Sequence, residues 1–597
     1  MTDTPRPLFS LVEKEQNTNL SKQDLNCLGE IGGVKKIQLY NPIYPLFFDL
    51  NDSNFNNISL NQKYHIQSSN IVKEMIPDEG KENIDISKNI FIKYSPLIDP
   101  VKYMIGKYDI NDKIHTLPNL ITTDQECHPK IINPMNSSYV DNLFYYLSSK
   151  MKNDYGFVHG IDYYGSFLGI QDKFKFKIED DLEYLAGSSF FLSNVGKLMV
   201  LENVNEDQLI NDDIKQDSRC YRRKICIGEC IDNDILDMES IIIDSNDNNK
   251  KDDTIYIEPC EIIYKNDIPV TSLVVEEGGS CVSTTNYDTN YDSNDSSNES
   301  DSSNESDSSD ESDSSDESDE EQNSNNSDNS DWEDIESMES EEEPEPIAHI
   351  FDFPVQMICL EECYGTLDSL LDDGEIEHDK YASILFQVII SLIVYQKVFN
   401  FTHNDLHTNN IMYVNTEQEF LYYIVNGITY KVPTYGRIFK LIDFGRSIYK
   451  YDSKTFCSDS FSVGSDAHTQ YNCEPFMNNN KPILLPNMSF DLCRLGCSIF
   501  DFIDDDNEEQ EKTHNDDLFN IVSEWCNDDD GNSVLYKKNG QERYGGFKLY
   551  RMIARTVHNH IPEEQLKLPF FKQFSVDSNT IEPNTTIMNI DLYPILI

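Results

Sequence analysis

Basic residues are scarce in this chain. Across 597 residues, 47 Lys and Arg stand against 107 Asp and Glu, a net charge of −60. A field of that sign repels nucleic acid and anionic membrane, so neither is expected as a direct partner. It favours basic protein substrates, and it also serves solubility. Long apolar runs are missing as well. The longest, Val388 to Tyr395, is too short to span a bilayer. Met1 to Gln16 carries acidic residues and no apolar core, so no signal peptide is expected there. Paired cysteine spacing is the third absence. The 14 cysteines are scattered, and the tightest group, Cys220, Cys226 and Cys230, lacks the C-x-x-C spacing of common zinc sites. Cys359/Cys363 and Cys493/Cys497 fall inside apolar elements. Reduced thiols in a reducing compartment are expected, rather than zinc or a disulfide frame. These absences together imply a soluble, intracellular protein.

What is present is organised unevenly. Residues 1–50 begin polar and end in an apolar stretch, Leu39 to Leu50, suited to padding the outside of a domain. Tyr64 to Tyr94 reads as two short strands around a polar loop, Pro77 to Lys88, the second strand being Ile90 to Lys93. Val140, Leu143, Phe144 and Leu147 recur at helical spacing and predict a helix over 138–151, with Ser137 and Ser138 as N-caps. A strand-like segment, Gly156 to Leu168, follows. Residues 170–280 give no clear order. From about 284 to 346 the composition changes: the hexamer Asp-Ser-Ser-Asn/Asp-Glu-Ser repeats in tandem, with no Lys or Arg. Such a segment buries too little apolar surface to offset its chain entropy, and disorder is expected. Three readings of it stand side by side: a solvated loop, a substrate for acid-directed kinases, and a lure for basic partners.

Order is expected again from Phe351. Val355 to Leu360 reads as a buried strand, Leu367 to Leu371 as a helical turn, and Tyr381 to Leu392 as a long buried helix. Phe420 to Val425 and Ile428 to Val432, joined by Asn426-Gly427, carry a strong hairpin signal. A strand over 438–442 leads into Asp443. Helices are expected at Phe490 to Phe502, Asp517 to Cys526 and Phe547 to His558.

Two short motifs carry the chemistry. His403-Asn404-Asp405-Leu406-His407-Thr408-Asn409-Asn410 holds a carboxylate and, five residues on, an amide. Asp443-Phe444-Gly445 supplies a second carboxylate. One carboxylate to orient a hydroxyl nucleophile, with an Asn and an Asp to hold magnesium on a triphosphate, is what phosphoryl transfer asks of a protein. His403 reads as a structural residue of the loop.

These are the H-x-D-x-x-x-x-N and D-F-G signatures, and from about Asn89 onward the chain resembles the protein-kinase superfamily. The wording of the loop and the long polar insertions look like the serine/threonine kinases of giant DNA viruses. The resemblance implies an α+β, bilobal, protein-kinase-like fold: a β-rich small lobe over 61–360, interrupted by the acidic insertion, and a helical large lobe over 361–597. Residues 1–60 would be an N-terminal extension. It implies Asp405 as catalytic base, Asn410 and Asp443 as Mg2+ ligands, and Lys93 on the α- and β-phosphates of ATP. Asp141, the only carboxylate of the 138–151 helix, matches the partner of that lysine, with one methylene less than the usual Glu. Glu361 and Cys363 match the hinge that holds adenine. Asp491 and Gly496 match the helix that braces the catalytic loop, with Cys493 in the Trp position.

The pattern departs from the family in places. No G-x-G-x-x-G precedes Lys93, and no A-P-E follows the D-F-G turn. Asn404 replaces the arginine that reads an activation-loop phosphate, which implies activity independent of loop phosphorylation. His407 replaces the lysine of serine/threonine kinases. The resemblance implies a Mg-ATP-dependent serine/threonine-protein kinase acting on protein substrates, in a host cytoplasm or packaged in a virion if the protein is viral. Two rivals are a small-molecule kinase of the aminoglycoside or choline type and a pseudokinase scaffold.

Overall fold

Antiparallel strands built from β-branched and aromatic residues form the first half of the structure. It is a computed structural model describing residues 32–205 and 344–597, apart from 57, 59, 69–70, 75–83, 110–112 and 510–516, and the side chains of 504–509. The acidic repeat, the cysteines at 220–230 and the part of the 170–280 stretch beyond 205 lie outside the described residues. Strands β1 (Val34–Gln38), β2 (Tyr64–Ser68), β3 (Ile71–Glu74), β4 (Ile84–Ser87), β5 (Ile90–Pro96), β6 (Tyr163–Lys177), β7 (Met199–Glu202) and β8 (Ile347–Glu361) fall into two sheets. One runs β1-β6-β8-β5, with β7 also on β8; the other is β2-β3-β4. Every pairing in both is antiparallel. Strand β4 lies inside the stretch expected to be a polar loop. Ile84 and Ile86 alternate with Asp85 and Ser87, but the strand is only four residues long and neither isoleucine is buried.

Helix α1 (Ser137–Tyr155) starts where Asn136 accepts from the Ser138 amide, and it ends at Gly156, which adopts φ 74°. Almost all of it is buried. Its apolar positions meet the rest of the core, and its polar ones are tied by hydrogen bonds. Ser148 Oγ, for example, lies 2.7 Å from Tyr395 Oη. Helix α2 (Tyr381–Phe399) is buried along nearly its whole length and closes with Asn400 at φ 49°. By length and composition, His378–Phe399 resembles a membrane span, but 89% of its apolar window is buried inside the protein.

Strand β9 (Gly365–Thr366) precedes α2, and beyond α2 come β10 (Ile411–Asn415), β11 (Phe420–Val425), β12 (Ile428–Pro433) and β13 (Arg437–Leu441). Strands β11 and β12 pair across Asn426-Gly427, whose φ values of 52° and 72° fit a type I′ turn. Strand β10 pairs with β13, which places the residues before β10 beside those after β13. Helices α3 (Phe490–Glu509), α4 (Asp517–Trp525) and α5 (Lys548–Thr556) complete the main elements. A Cβ on Gly496 would stand 2.9 Å from Trp525 Cβ, so glycine is what lets α3 approach α4 so closely.

The fold is thus a mixed α+β arrangement. Phe144 of α1 sits at its centre, with ring centroids 4.3 Å from Phe401, 4.6 Å from Phe444, 4.8 Å from Tyr449 and 5.0 Å from Tyr395. One aromatic cluster therefore fixes α1, α2 and both motif segments to each other. The apolar N-terminal stretch joins the core as well: Ile43 and Tyr44 are buried, and Phe47 stacks on Phe456 at 5.8 Å.

Candidate active site

The two motifs meet because β10 and β13 are neighbours. Ile442, after β13, donates its amide to Asn410 O at 3.0 Å, and its own carbonyl pairs with His403 Nε2 at 2.8 Å. His403 is fully buried and serves the backbone. Beneath the loop, Asp491 at the start of α3 accepts from the amides of His403 (2.8 Å) and Asn404 (2.9 Å). Asn404 and Asp443 both adopt left-handed φ, 64° and 60°, a region that Asn and Asp tolerate better than most residues. The Asn404 side chain donates to Thr402 and to Arg446 O, and it accepts from Tyr471 Oη at 2.8 Å.

Lys93 comes from the middle of β5. Its Nζ lies 2.8 Å from Asp141 Oδ2 and 2.8 Å from Asp443 Oδ1. The shorter arm of Asp141 reaches because α1 packs tightly under the sheet. The other Asp141 oxygen accepts from the Phe444 amide at 2.7 Å, while Tyr145, one turn further along α1, accepts from the Asp443 amide at 2.8 Å. Burial opposes charge on Lys93, yet the two carboxylates hold its ammonium well above the ordinary lysine value. Burial lifts Asp141 to about 6, against the pull of Lys93. Asp443 goes the other way: its side chain is half exposed, Lys93 outweighs the partial desolvation that raises it, and it settles at about 2.

Asp405 Oδ1 accepts from Tyr550 Oη at 2.7 Å, and its Oδ2 lies 3.7 Å from Arg446 Nε. Burial pushes this carboxyl up, but Arg446, His407 and the Tyr550 hydroxyl together bring it below its usual value. Asn410 donates both Nδ2 hydrogens within the loop, to Asp405 O at 2.9 Å and His407 Nε2 at 3.0 Å. Its amide oxygen is left as the atom able to bind a cation. One carboxylate and one amide oxygen suit Mg2+, which takes few protein ligands and completes its shell with phosphates and water. Among the described residues no three His, Cys, Asp or Glu gather as a metal cluster, so these residues alone build no closed cage.

Lys93, Asp141, Asp405, Asn410, Asp443 and Arg446 line one cleft of about 750 Å³. Glu361 and Cys363 are not on its wall. The Glu361 carboxylate instead bridges Lys152 and Lys440, each at 2.8 Å, and its amide donates to Asp162 O. Cys363 is half-buried. Tyr145, Arg446, Tyr471 and Tyr550 are site residues that the motifs do not announce. Only Tyr145 had a signal, lying four positions from Asp141 and so on the same helix face.

No family model matches the chain. A stretch of 79 residues, 13% of the chain, is 37% identical to the serine/threonine-protein kinase haspin of Mus musculus, of which it spans 10%. The Bos taurus haspin is 35% identical over a stretch of the same length. An uncharacterized protein of Caenorhabditis elegans is 26% identical over 106 residues, 16% of the chain and 36% of that protein. The chain thus matches about a tenth of the haspins' length and about a third of the nematode protein's. This short local similarity supports a kinase-like relation. These relatives are animal proteins and carry nothing for the viral likeness.

Proposed function

We propose that this chain is a protein kinase that transfers the γ-phosphate of Mg-ATP to Ser or Thr hydroxyls of proteins. The observation that carries the reading is the convergence of Lys93, Asp141 and Asp443 in the cleft that also holds Asp405 and Asn410. Four segments distant in sequence supply one cation and four candidate ligands for a nucleotide, a metal and an acceptor.

In this reading Lys93 holds the α- and β-phosphates, and Asp141 keeps it charged and aimed. Asn410 and Asp443 would hold magnesium, which supplies charge neutralisation on the phosphates when bound. Asp405 orients the acceptor hydroxyl and takes its proton. Its low pKa suits an orienting carboxylate that stays ionised at neutral pH. Residues 61–360 would form the small lobe and 361–597 the large one, with the backbone near Glu361 and Cys363 as adenine hinge. The cleft wall carries more carboxylates than cations, with Glu179, Asp180 and Asp181 beside Lys102, Lys130 and Lys177, and that balance favours a basic acceptor protein.

The test is transfer of labelled γ-phosphate to the protein itself and to a mixture of basic and acidic proteins. Asp405→Asn and Asp443→Asn run alongside. Each variant is expected to lose at least about a hundredfold in rate while staying folded. Phosphatase treatment of the wild type is expected to leave the rate unchanged, because Asn404 is already bound by Tyr471. ATP binding without transfer to any protein would sink the reading in favour of a small-molecule kinase or a scaffold.

A further inference from the structure

The two oxygens of Asp405 are in unlike surroundings. Oδ1 has a hydrogen-bond donor at 2.7 Å, the Tyr550 hydroxyl, whereas the nearest cation to Oδ2 is Arg446 Nε at 3.7 Å, beyond a hydrogen bond. Tyr550 arrives from α5, 145 residues further along the chain. It is fully buried and stacks on Phe547, with ring centroids 5.0 Å apart and an interplanar angle of 10°. The Phe490 ring lies 6.1 Å away, and the Arg494 guanidinium carbon is 5.2 Å from the Tyr550 ring centre. The phenol therefore has one placement, and its hydroxyl points at one carboxylate oxygen.

We propose that Tyr550 is a positioning residue: it occupies Asp405 Oδ1 and turns Oδ2 toward the acceptor hydroxyl. The inference rests on the kinase reading above. A carboxylate on a free rotor presents either oxygen, and a misaligned base wastes most encounters with a bound nucleophile. A hydrogen bond from a buried donor removes that freedom and stabilises the ionised form of the acid. Burial keeps the Tyr550 hydroxyl protonated, against the opposing pull of Arg494, so it is a donor throughout the working pH range. Arg446, whose guanidinium is tied to Asp466, stands near enough to Oδ2 to favour its charge and too far to hydrogen-bond it, which leaves Oδ2 to a substrate hydroxyl.

The experiment uses the full chain and three proteins: wild type, Tyr550→Phe, and wild type with a fluorinated tyrosine at 550. Transfer to the best protein acceptor is measured from neutral to alkaline pH, with ATP affinity measured separately. Tyr550→Phe keeps the ring and its stacking and removes only the donor. It is expected to lower kcat about tenfold with the KM for ATP unchanged. The fluorinated phenol is nearly the same size but ionises at lower pH, and once ionised it donates nothing to Asp405. Its kcat is expected to fall at alkaline pH where wild-type kcat holds. A Tyr550→Phe protein with wild-type kcat overturns the role. So does a fall in kcat matched by an equal rise in the KM for ATP, which marks Tyr550 as packing only. If Tyr550→Phe fails to fold, the alkaline profile of the fluorinated protein decides, and a profile that coincides with wild type overturns the role. Absence of transfer by the wild type would overturn the kinase reading itself, an outcome distinct from either.

Discussion

Lys93 touches two carboxylates that respond to pH in opposite ways. Asp443 is held at about 2 by Lys93 and is charged wherever the protein is folded at ordinary pH. Asp141 is lifted to about 6 by burial. A raised acid pKa means that the folded state favours the protonated form. Asp141 therefore supports stability at acid pH, and that support fades as pH rises from about 4 through 6. Its charge above 6 is a burden on the fold that serves Lys93. Asp141→Asn is expected to weaken ATP binding about tenfold at neutral pH, as loss of a charged hydrogen bond to the lysine would. The gap between the two proteins should close as pH falls below about 6, where wild-type Asp141 is itself neutral. Nucleotide titrations of both proteins across that range check it. A gap independent of pH would mean that the Asp141 charge is not what Lys93 needs.

At the scale of elements, the 403–410 loop hangs from the start of α3. Asp491 is fully buried and both of its oxygens are used, one on each of two consecutive loop amides. Burial raises its pKa, and His403 together with the loop amides resists that rise. Removing the carboxylate leaves two buried donors without a partner. Asp491→Ala is expected to cost about 3 kcal/mol in stability, while Asp491→Asn, which keeps an acceptor oxygen, should cost less. Denaturant unfolding of the three proteins measures it, and equal midpoints would refute the hanging role. The aromatic cluster around Phe144 works at the same scale, since it joins α1 to the segments that carry both motifs. The sequence announced both helices by their 3.6-residue periodicity. It could not announce which of their side chains would serve as anchors.

Across the whole molecule, ion pairs bind distant parts of the chain. Asp162, before β6, takes Lys152 of α1 at 3.0 Å and Lys88 at 3.4 Å, while Lys152 also holds Glu361 at the end of β8. Burial raises Asp162, the two lysines outweigh it, and the group settles at about 2. A lowered acid pKa contributes stability that is present above about 4 and lost as pH falls toward 2. The contribution is on the order of 2 kcal/mol for this largely buried carboxylate. Asp162→Asn is expected to be less stable by that amount at neutral pH, and the two proteins should converge as the pH approaches 2. Acid titration followed by circular dichroism reads the convergence, and parallel curves would count against the pair as a source of stability.

The residues of the candidate site stood out in the sequence because their spacing is local. Asp405 and Asn410 lie five residues apart on one loop, Asp443 sits in a three-residue turn, and short-range spacing survives in a bare sequence. The long helices and the Asn426-Gly427 hairpin were legible for the same reason: periodicity and turn chemistry act between near neighbours. Lys93 and Asp141 could be singled out, but their contact depends on how deeply α1 packs beneath the sheet, which one missing methylene made uncertain from sequence. Strand β4 alternates cleanly but is only four residues long, too short a run to stand out from a polar loop. Glu361 lay at the expected strand end, yet its carboxylate went to two lysines from other elements. Tyr550 had no local signal at all. Its hydroxyl meets Asp405 only because α5 packs against α3, and contacts of that kind follow from how the chain fills its core rather than from any spacing along it.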